Sequence, residues 1–277
     1  MNEATQPDLI PAVLRDVRET LRMRWIDSSL ETAAAHPVFF TAAWSALRPN
    51  IGPGFVSAAR HIRDLAVNGV KQHATPPDHS EWARLAKLEP QELEQITVTV
   101  RAFHESMAKV AIAVHALARA ARGRPAGGSG IEEPPPKRGV PNWHPRMVLE
   151  AGEDAQQVLM DAARRLGAPA PPDVLVALSA WPGYLTRAWR DGKRFVGTDG
   201  WNETAGRVRR ATLEAVRRLP HLISLQWSAL KERGFTDEER RDVGDALAGY
   251  DSAMPGIVTL VAYLWLAAGA PAETREG

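Results

Sequence analysis

The sequence predicts an all-α protein made of two copies of one helical half, and three observations carry that reading. The first is internal repetition: the segment His36 to Arg48 returns as Trp181 to Lys193. Pro37 matches Pro182, Thr41 matches Thr186, and the pair Ala43-Trp44 matches Ala188-Trp189. Farther along, Leu88 to Ile96 answers Phe235 to Val243, and Ala102 to Val110 answers Gly249 to Ile257, which sets Met107 on Met254. Repeats of 20 to 50 residues mean solenoids, whereas a unit this long means a duplicated domain. The second is the absence of alternating β-branched runs between Asn-Gly turns, the signal of strands. The third is a stretch dense in Gly and Pro, 123–145, that cannot hold a helix and separates the copies.

The elements follow in chain order. Between Asp8 and Met23, the apolar residues Leu9, Ile10, Val13, Leu14, Val17 and Leu21 form one helical stripe. Pro90, after Leu88-Glu89, has first-turn geometry and starts a long helix. Its mate begins at a capping box, Thr236-Asp237-Glu238-Glu239, in which hydroxyl and carboxylate satisfy each other's orphan amides. Each half reads as four or five helices, the last one buried. The expected organisation is an N-terminal helical repeat over 1–122, a linker over 123–145 and a C-terminal helical repeat over 146–277. Such a pseudo-dimer leaves a crevice on its pseudo-twofold axis, where a small-molecule site is expected.

Ala253 to Ala270 is apolar enough to raise the question of a membrane span. Pro255 and Gly256 stand near its start, and its counterpart in the first half carries Lys109, His115 and Arg119. A duplicated element would not cross a bilayer in one copy only, so a buried central helix is expected.

Composition narrows the partners. Apolar residues make up 44% of the 277 and charged residues 24%, the mix of an ordinary globular protein. A formal net charge of +1 gives no field to attract nucleic acid or an anionic membrane. With no cysteine there is no disulfide, thiolate nucleophile or thiolate-bound metal. The first residues lack a basic head and an apolar run, so a cytoplasmic location is expected. The expected partner is a small-molecule substrate, with a homodimer possible and no metal or organic cofactor.

Four segments together carry a family resemblance: Trp25 to Trp44, the Arg-Pro-Ala-Gly-Gly of Arg124 to Gly128, Ala177 to Leu185, and Arg217 to Leu222. In order, spacing and duplication they resemble the group I 2-haloacid dehalogenases, which act on both D- and L-2-haloacids. The resemblance covers most of the chain. It implies an all-α pseudo-dimer and hydrolysis in which an aspartate activates water to attack C2 directly, with inversion and no covalent ester. Counted back from Trp181 without a gap, that aspartate falls on Val174, with Asp173 one position earlier. After Pro171-Pro172, Asp173 also reads as a helix N-cap, so it is a base, a cap or both. The resemblance places Trp25 in the substrate pocket, puts Ser28 (with Ser29 beside it) where an aromatic is expected, and sets Met107 and Val110 where an asparagine and a tyrosine are expected.

The polar groups available to replace those donors are His104-Glu105 and their repeat mates Tyr250-Asp251-Ser252, which twofold packing would bring together. A titratable cluster in a crevice is a candidate acid/base set; the same residues read equally as helix-surface charge. The candidate catalytic residues are therefore Asp173, His104, Glu105 and Asp251. The candidate substrate contacts are Trp25, Ser28, Ser29, Met107, Val110, Val174 and Tyr250.

Other patterns are weaker. His61, His73, His79 and Asp78 lack a recurring metal-ligand spacing. His104-Glu105 lacks the second histidine of a metalloprotease box, because Ala108 stands there. Arg207 to Arg218 is a basic helix without interleaved aromatics. Trp44 and Trp189 recur and read as core, while Trp25, Trp143 and Trp201 lack mates and read as crevice residues. Three functions fit: a hydrolytic 2-haloacid dehalogenase, a relative that lost the aspartate and does other cofactor-independent chemistry on a small or hydrophobic metabolite, and a non-catalytic binder.

Overall fold

A computed structural model describes residues 6–85, 87–130, 134, 139 and 151–269. The first repeat holds α1 (Gln6–Leu21), α2 (Ser28–Ala34), α3 (Pro37–Leu47), a 3-10 turn (Arg48–Asn50), α4 (Pro53–His73), α5 (His79–Leu85) and α6 (Pro90–Ala121). The second holds α7 (Glu153–Leu166), α8 (Asp173–Leu178), α9 (Pro182–Gly192), α10 (Asp199–Arg217), α11 (Trp227–Glu232) and α12 (Asp237–Ala267). Among the described residues there is no strand beyond one isolated bridge. The helices match in order, α1 with α7 through α6 with α12. Each repeat has six where four or five were expected, because α2, α5, α8 and α11 span only one or two turns and show no period.

The repetition extends to single hydrogen bonds. In the first repeat α1 packs on α3, and the Trp44 indole N–H donates to Asp16 Oδ2 at 2.8 Å. In the second α7 packs on α9, and the Trp189 indole N–H donates to Asp161 Oδ2, again at 2.8 Å. Both indoles are buried, as their recurrence implied. Chiefly through the Trp189 bond, and then through Arg164 and Arg165, the Asp161 carboxyl is drawn down to about 2. The long helices are also capped alike. Glu92 reaches back to the Glu89 amide at 3.0 Å before α6; Glu239 reaches back to the Thr236 amide at 2.7 Å before α12. The Glu239 amide donates to Thr236 Oγ1 at 3.1 Å, completing the box.

Two compact units emerge from the packing. One comprises Met1–Ile62, Ala108–Asn142 and Arg209–Met254; the other comprises Arg63–Met107, Trp143–Val208 and Pro255–Gly277. Each unit takes α1–α3 or α7–α9, and the end of a long helix, from one repeat. It takes the intervening helices from the other repeat, so equivalent segments are exchanged. By length and composition α12 is the one described helix that reaches membrane length, yet 67% of its most apolar window is buried within the protein. Of the expected linker, residues 123–130 are described, and most of 131–145, including Trp143, lies outside the described residues.

In the first unit, two of the motifs that carried the family resemblance prove to be one element. Ala126 and Ile223 exchange backbone hydrogen bonds, N–H to O at 3.1 and 2.8 Å. The amides of Gly128 and Ser129 both donate to the Leu219 carbonyl, and the His221 amide donates to the buried Asn50 side chain at 2.7 Å. Gly127 has φ +75°, and a Cβ there would stand 2.5 Å from the His221 carbonyl oxygen. Only glycine meets both demands.

Gly127→Ala and Gly130→Ala make a matched test, since Gly130 also has positive φ (+72°) but open space around its Cβ position. Gly130→Ala is expected to cost about 1 kcal/mol, the left-handed penalty alone. Gly127→Ala must cost more, because a backbone carbonyl has to move. Equal urea midpoints for the two variants would remove the close approach from the account.

Candidate functional site

In the second unit, α8 begins after Pro171-Pro172. Pro172 is the N-cap, with φ −58° and ψ 131°, and its carbonyl accepts from the Leu175 amide (2.8 Å) and the Val176 amide (3.1 Å). The N-cap reading of Asp173 is thereby corrected: it is the first residue inside the helix. A proline serves at the cap because that position needs no donor, and the shift of one residue follows. Asp173 is buried, 9% exposed, and its charge is favoured in a first helical turn. Val174 beside it is fully buried in apolar surroundings.

His104 and Glu105 are neighbours in α6 with different surroundings. The His104 ring is buried and stacks on Trp265 of α12, with centroids 4.8 Å apart and planes 12° from parallel. Burial, and then the Arg63 charge, pushes its pKa down to about 3, so the ring is neutral near pH 7. Glu105 pairs with Arg101 Nε at 2.8 Å one turn earlier, both side chains partly exposed. Met107 is buried on the same helix. Trp201, expected at the crevice, packs edge-on against Phe195 (5.5 Å between centroids) and lies 3.3 Å from where a Cβ on Gly256 would stand, so it belongs to the core of this unit.

In the first unit, Trp25 is buried at 5% exposure and leads into α2. Asp27 caps that helix, accepting the Ser29 amide at 3.1 Å and the Ser29 hydroxyl as well. The Ser28 carbonyl accepts the Thr32 hydroxyl at 2.8 Å, which in turn lies 3.4 Å from Tyr250 Oη on α12. Next to Tyr250, Asp251 Oδ1 accepts from His115 Nδ1 of α6 at 2.8 Å. A carboxylate only accepts, so in this bond Nδ1 of His115 carries a proton. Val110 is fully buried on the same helix.

Tyr250-Asp251 and His104-Glu105 thus fall in different units, and each pair is engaged within its own. Sequence reasoning missed His115 as the partner of Asp251. The available signal was a histidine inside the apolar run of α6, a polar group that burial obliges to find a partner. His79 likewise contacts buried Asp191 (3.3 Å), His73 contacts Glu203 (3.3 Å), and Asp78 accepts the Ser80 amide at the start of α5. Among the described residues, no group of three or more such side chains is placed to hold a metal ion.

The chain thus carries two six-helix repeats with a buried carboxylate at the start of α8. The configuration-inverting 2-haloacid dehalogenase of Pseudomonas sp. (strain 113) is 26% identical over 279 aligned residues, covering 94% of this chain and 88% of that protein. This relative is a 2-haloacid dehalogenase, the type of enzyme that the sequence motifs resemble. The fold agrees. A D-2-haloacid dehalogenase mutant in complex with D-2-CPA superposes with a TM-score of 0.87 at 21% identity, covering 94% of this chain and 91% of that one. A D-2-haloacid dehalogenase in complex with L-LA gives 0.86 at 21% identity, with 94% and 92% covered. No family model matches the sequence.

His104 yields a pH test. Its folded pKa lies far below the ~6.5 of an unfolded histidine, so the unfolded chain takes up a proton that the buried ring refuses. Stability therefore falls as pH drops from about 6.5 toward about 3. His104→Phe keeps a ring against Trp265 and removes the titration. The loss of melting temperature between about pH 7 and about pH 4.5 should be smaller in His104→Phe than in the parent. Identical losses would show that the ring already takes up its proton in the folded state.

Proposed function

We propose that this chain is a 2-haloacid dehalogenase-like hydrolase that displaces the halogen from C2 of a small organic acid by direct attack of water, with Asp173 as general base. The observation that supports it most is the cap geometry of α8. Pro172 caps the helix, so Asp173 is a buried carboxylate in its first turn, within one residue of the position the family resemblance assigns to the base. In the step, Asp173 accepts a proton from water, and the water oxygen bonds to C2 from the face opposite the halogen. The carbon–halogen bond breaks with its electron pair leaving on halide, and a 2-hydroxy acid of inverted configuration is released. Burial of the carboxylate suits this chemistry, since a poorly hydrated base is a stronger one.

Trp25, Ser28, Ser29, Met107, Val110, Val174 and Tyr250 are assigned to the substrate by the same reading. Met107 and Val110, three residues apart on α6, share a helix face. With Val174 they supply apolar contacts where the resemblance implies polar ones. A substrate with a larger apolar group on C2 is therefore favoured over a two- or three-carbon haloacid.

The 2.8 Å hydrogen bond between His115 and Asp251 favours one alternative: a base at His115 Nε2, oriented by Asp251, acting on a small or hydrophobic metabolite. Two variants separate the readings. Asp173→Asn should lower halide release from racemic 2-chloropropionate, and from a longer-chain 2-halo acid, by ~10²–10⁴-fold without moving the melting temperature. His115→Gln should leave that release within severalfold of the parent. The opposite pattern would transfer the base to His115, and full activity in Asp173→Asn would end the dehalogenase assignment of that residue. A single turnover in ¹⁸O-water should place the label in the product; an unlabelled product would mean a covalent ester instead.

A further inference from the structure

α12 runs from Asp237 to Ala267 with a proline inside it, Pro255, and that residue is buried. Proline has no amide hydrogen, so the bond that would close the turn onto the Asp251 carbonyl cannot form, and the ring presses on that same carbonyl. No residue suits a helix interior less well. The helix goes on regardless, with the Thr259 hydroxyl donating to the Pro255 carbonyl at 2.8 Å.

The duplication supplies an internal control. In the register that sets Met107 on Met254, Pro255 falls on Ala108, Asp251 on His104 and Tyr250 on Phe103. α6 therefore has an ordinary amide at the equivalent point. The side chains one turn earlier differ as well. His104 lies neutral against Trp265, whereas Asp251 Oδ1 accepts from His115 Nδ1 at 2.8 Å. Tyr250 Oη lies 3.4 Å from Thr32 Oγ1, where its repeat mate Phe103 has no polar group. The proline thus stands in the one copy whose preceding turn reaches out to polar partners, His115 on α6 and Thr32 on α2.

We infer that Pro255 is a positioning residue: it keeps the turn at Asp251 from closing in the regular way, and so holds the Asp251 carboxylate on His115 and the Tyr250 hydroxyl beside Thr32. Filling space does not require a proline, since valine occupies a similar volume and brings the amide that the helix lacks. Pro255 touches no reacting atom. It acts through Tyr250, which the proposed function assigns to the substrate. Its effect on turnover rests on that reading; its effect on the His115–Asp251 bond does not.

Pro255→Ala and Pro255→Val both restore the amide, and the second also keeps the buried volume. In protein labelled with ¹⁵N-histidine, the ring resonance absent from His115→Gln identifies the His115 Nδ1–H. Exchange of that proton with water should be about tenfold faster in both variants, the size expected when one hydrogen bond to a charged group loosens. The melting temperature of Pro255→Val should stay level or rise, because the missing helical bond returns. With a longer-chain 2-halo acid, KM should rise severalfold while kcat changes less, the mark of lost substrate binding. An unchanged Nδ1–H exchange rate, or a lower melting temperature in Pro255→Val, would overturn the inference and leave the proline to packing. Faster exchange with KM and kcat both unaltered would remove Pro255 from the reaction. Faster exchange in the variants of a parent that releases no halide would leave the positioning of Asp251 standing and reject the proposed reaction.

Discussion

The fold depends on burying much of two helices of about thirty residues, α6 and α12, whose central turns mix apolar residues with His104, Ser106, His115, Asp251 and Thr259. Such helices exclude water from their own polar side chains, and each buried polar group must be paired or neutral. The structure meets that demand case by case. His104 is neutral and stacked on Trp265, and His115 is bonded to Asp251. Ser106 turns back to the Ala102 carbonyl, and Thr259 to that of Pro255. The shorter helices supply the rest of the cover, with the Trp44–Asp16 and Trp189–Asp161 bonds fixing α3 on α1 and α9 on α7. The same bond at the same place in both copies is what makes the duplication a physical one.

The architecture was legible because duplication is a pattern in sequence, and because Pro37, Pro182 and the Thr236 box punctuate helices by local chemistry. The exchange of segments between the two packing units was not legible. Nothing in Ala102 to Val110 or Gly249 to Ile257 says which helices their side chains meet. Trp201 was misread for a related reason: a tryptophan without a repeat mate says nothing about whether its site is a crevice or an asymmetric core. The link of Ala126 with Ile223 was hidden too, since backbone pairing between distant loops leaves no side-chain trace beyond the need for Gly127.

The α8 start shows how a one-residue shift changes a functional argument. Proline is favoured at the first helical position and aspartate at the cap, which reads naturally as Asp173 capping. Here the proline caps instead, because an extended Pro172 leaves its carbonyl aimed at the Leu175 and Val176 amides. An aspartate that capped would hold its charge in hydrogen bonds to the backbone, and its basicity would fall. Placed one residue into the helix, its charge is favoured by the positive helix end.

Where the family resemblance implies an asparagine, a tyrosine and an aspartate, this chain has Met107, Val110 and Val174. Charge stands at Asp251 with His115 and at Asp191 with Arg187, Arg190 and Arg194. A buried cluster of this kind is expensive to build unless every member has a partner. Asp191 meets that cost with Arg187 and His79 near Oδ2 and with the exposed Arg190 and Arg194 farther from Oδ1.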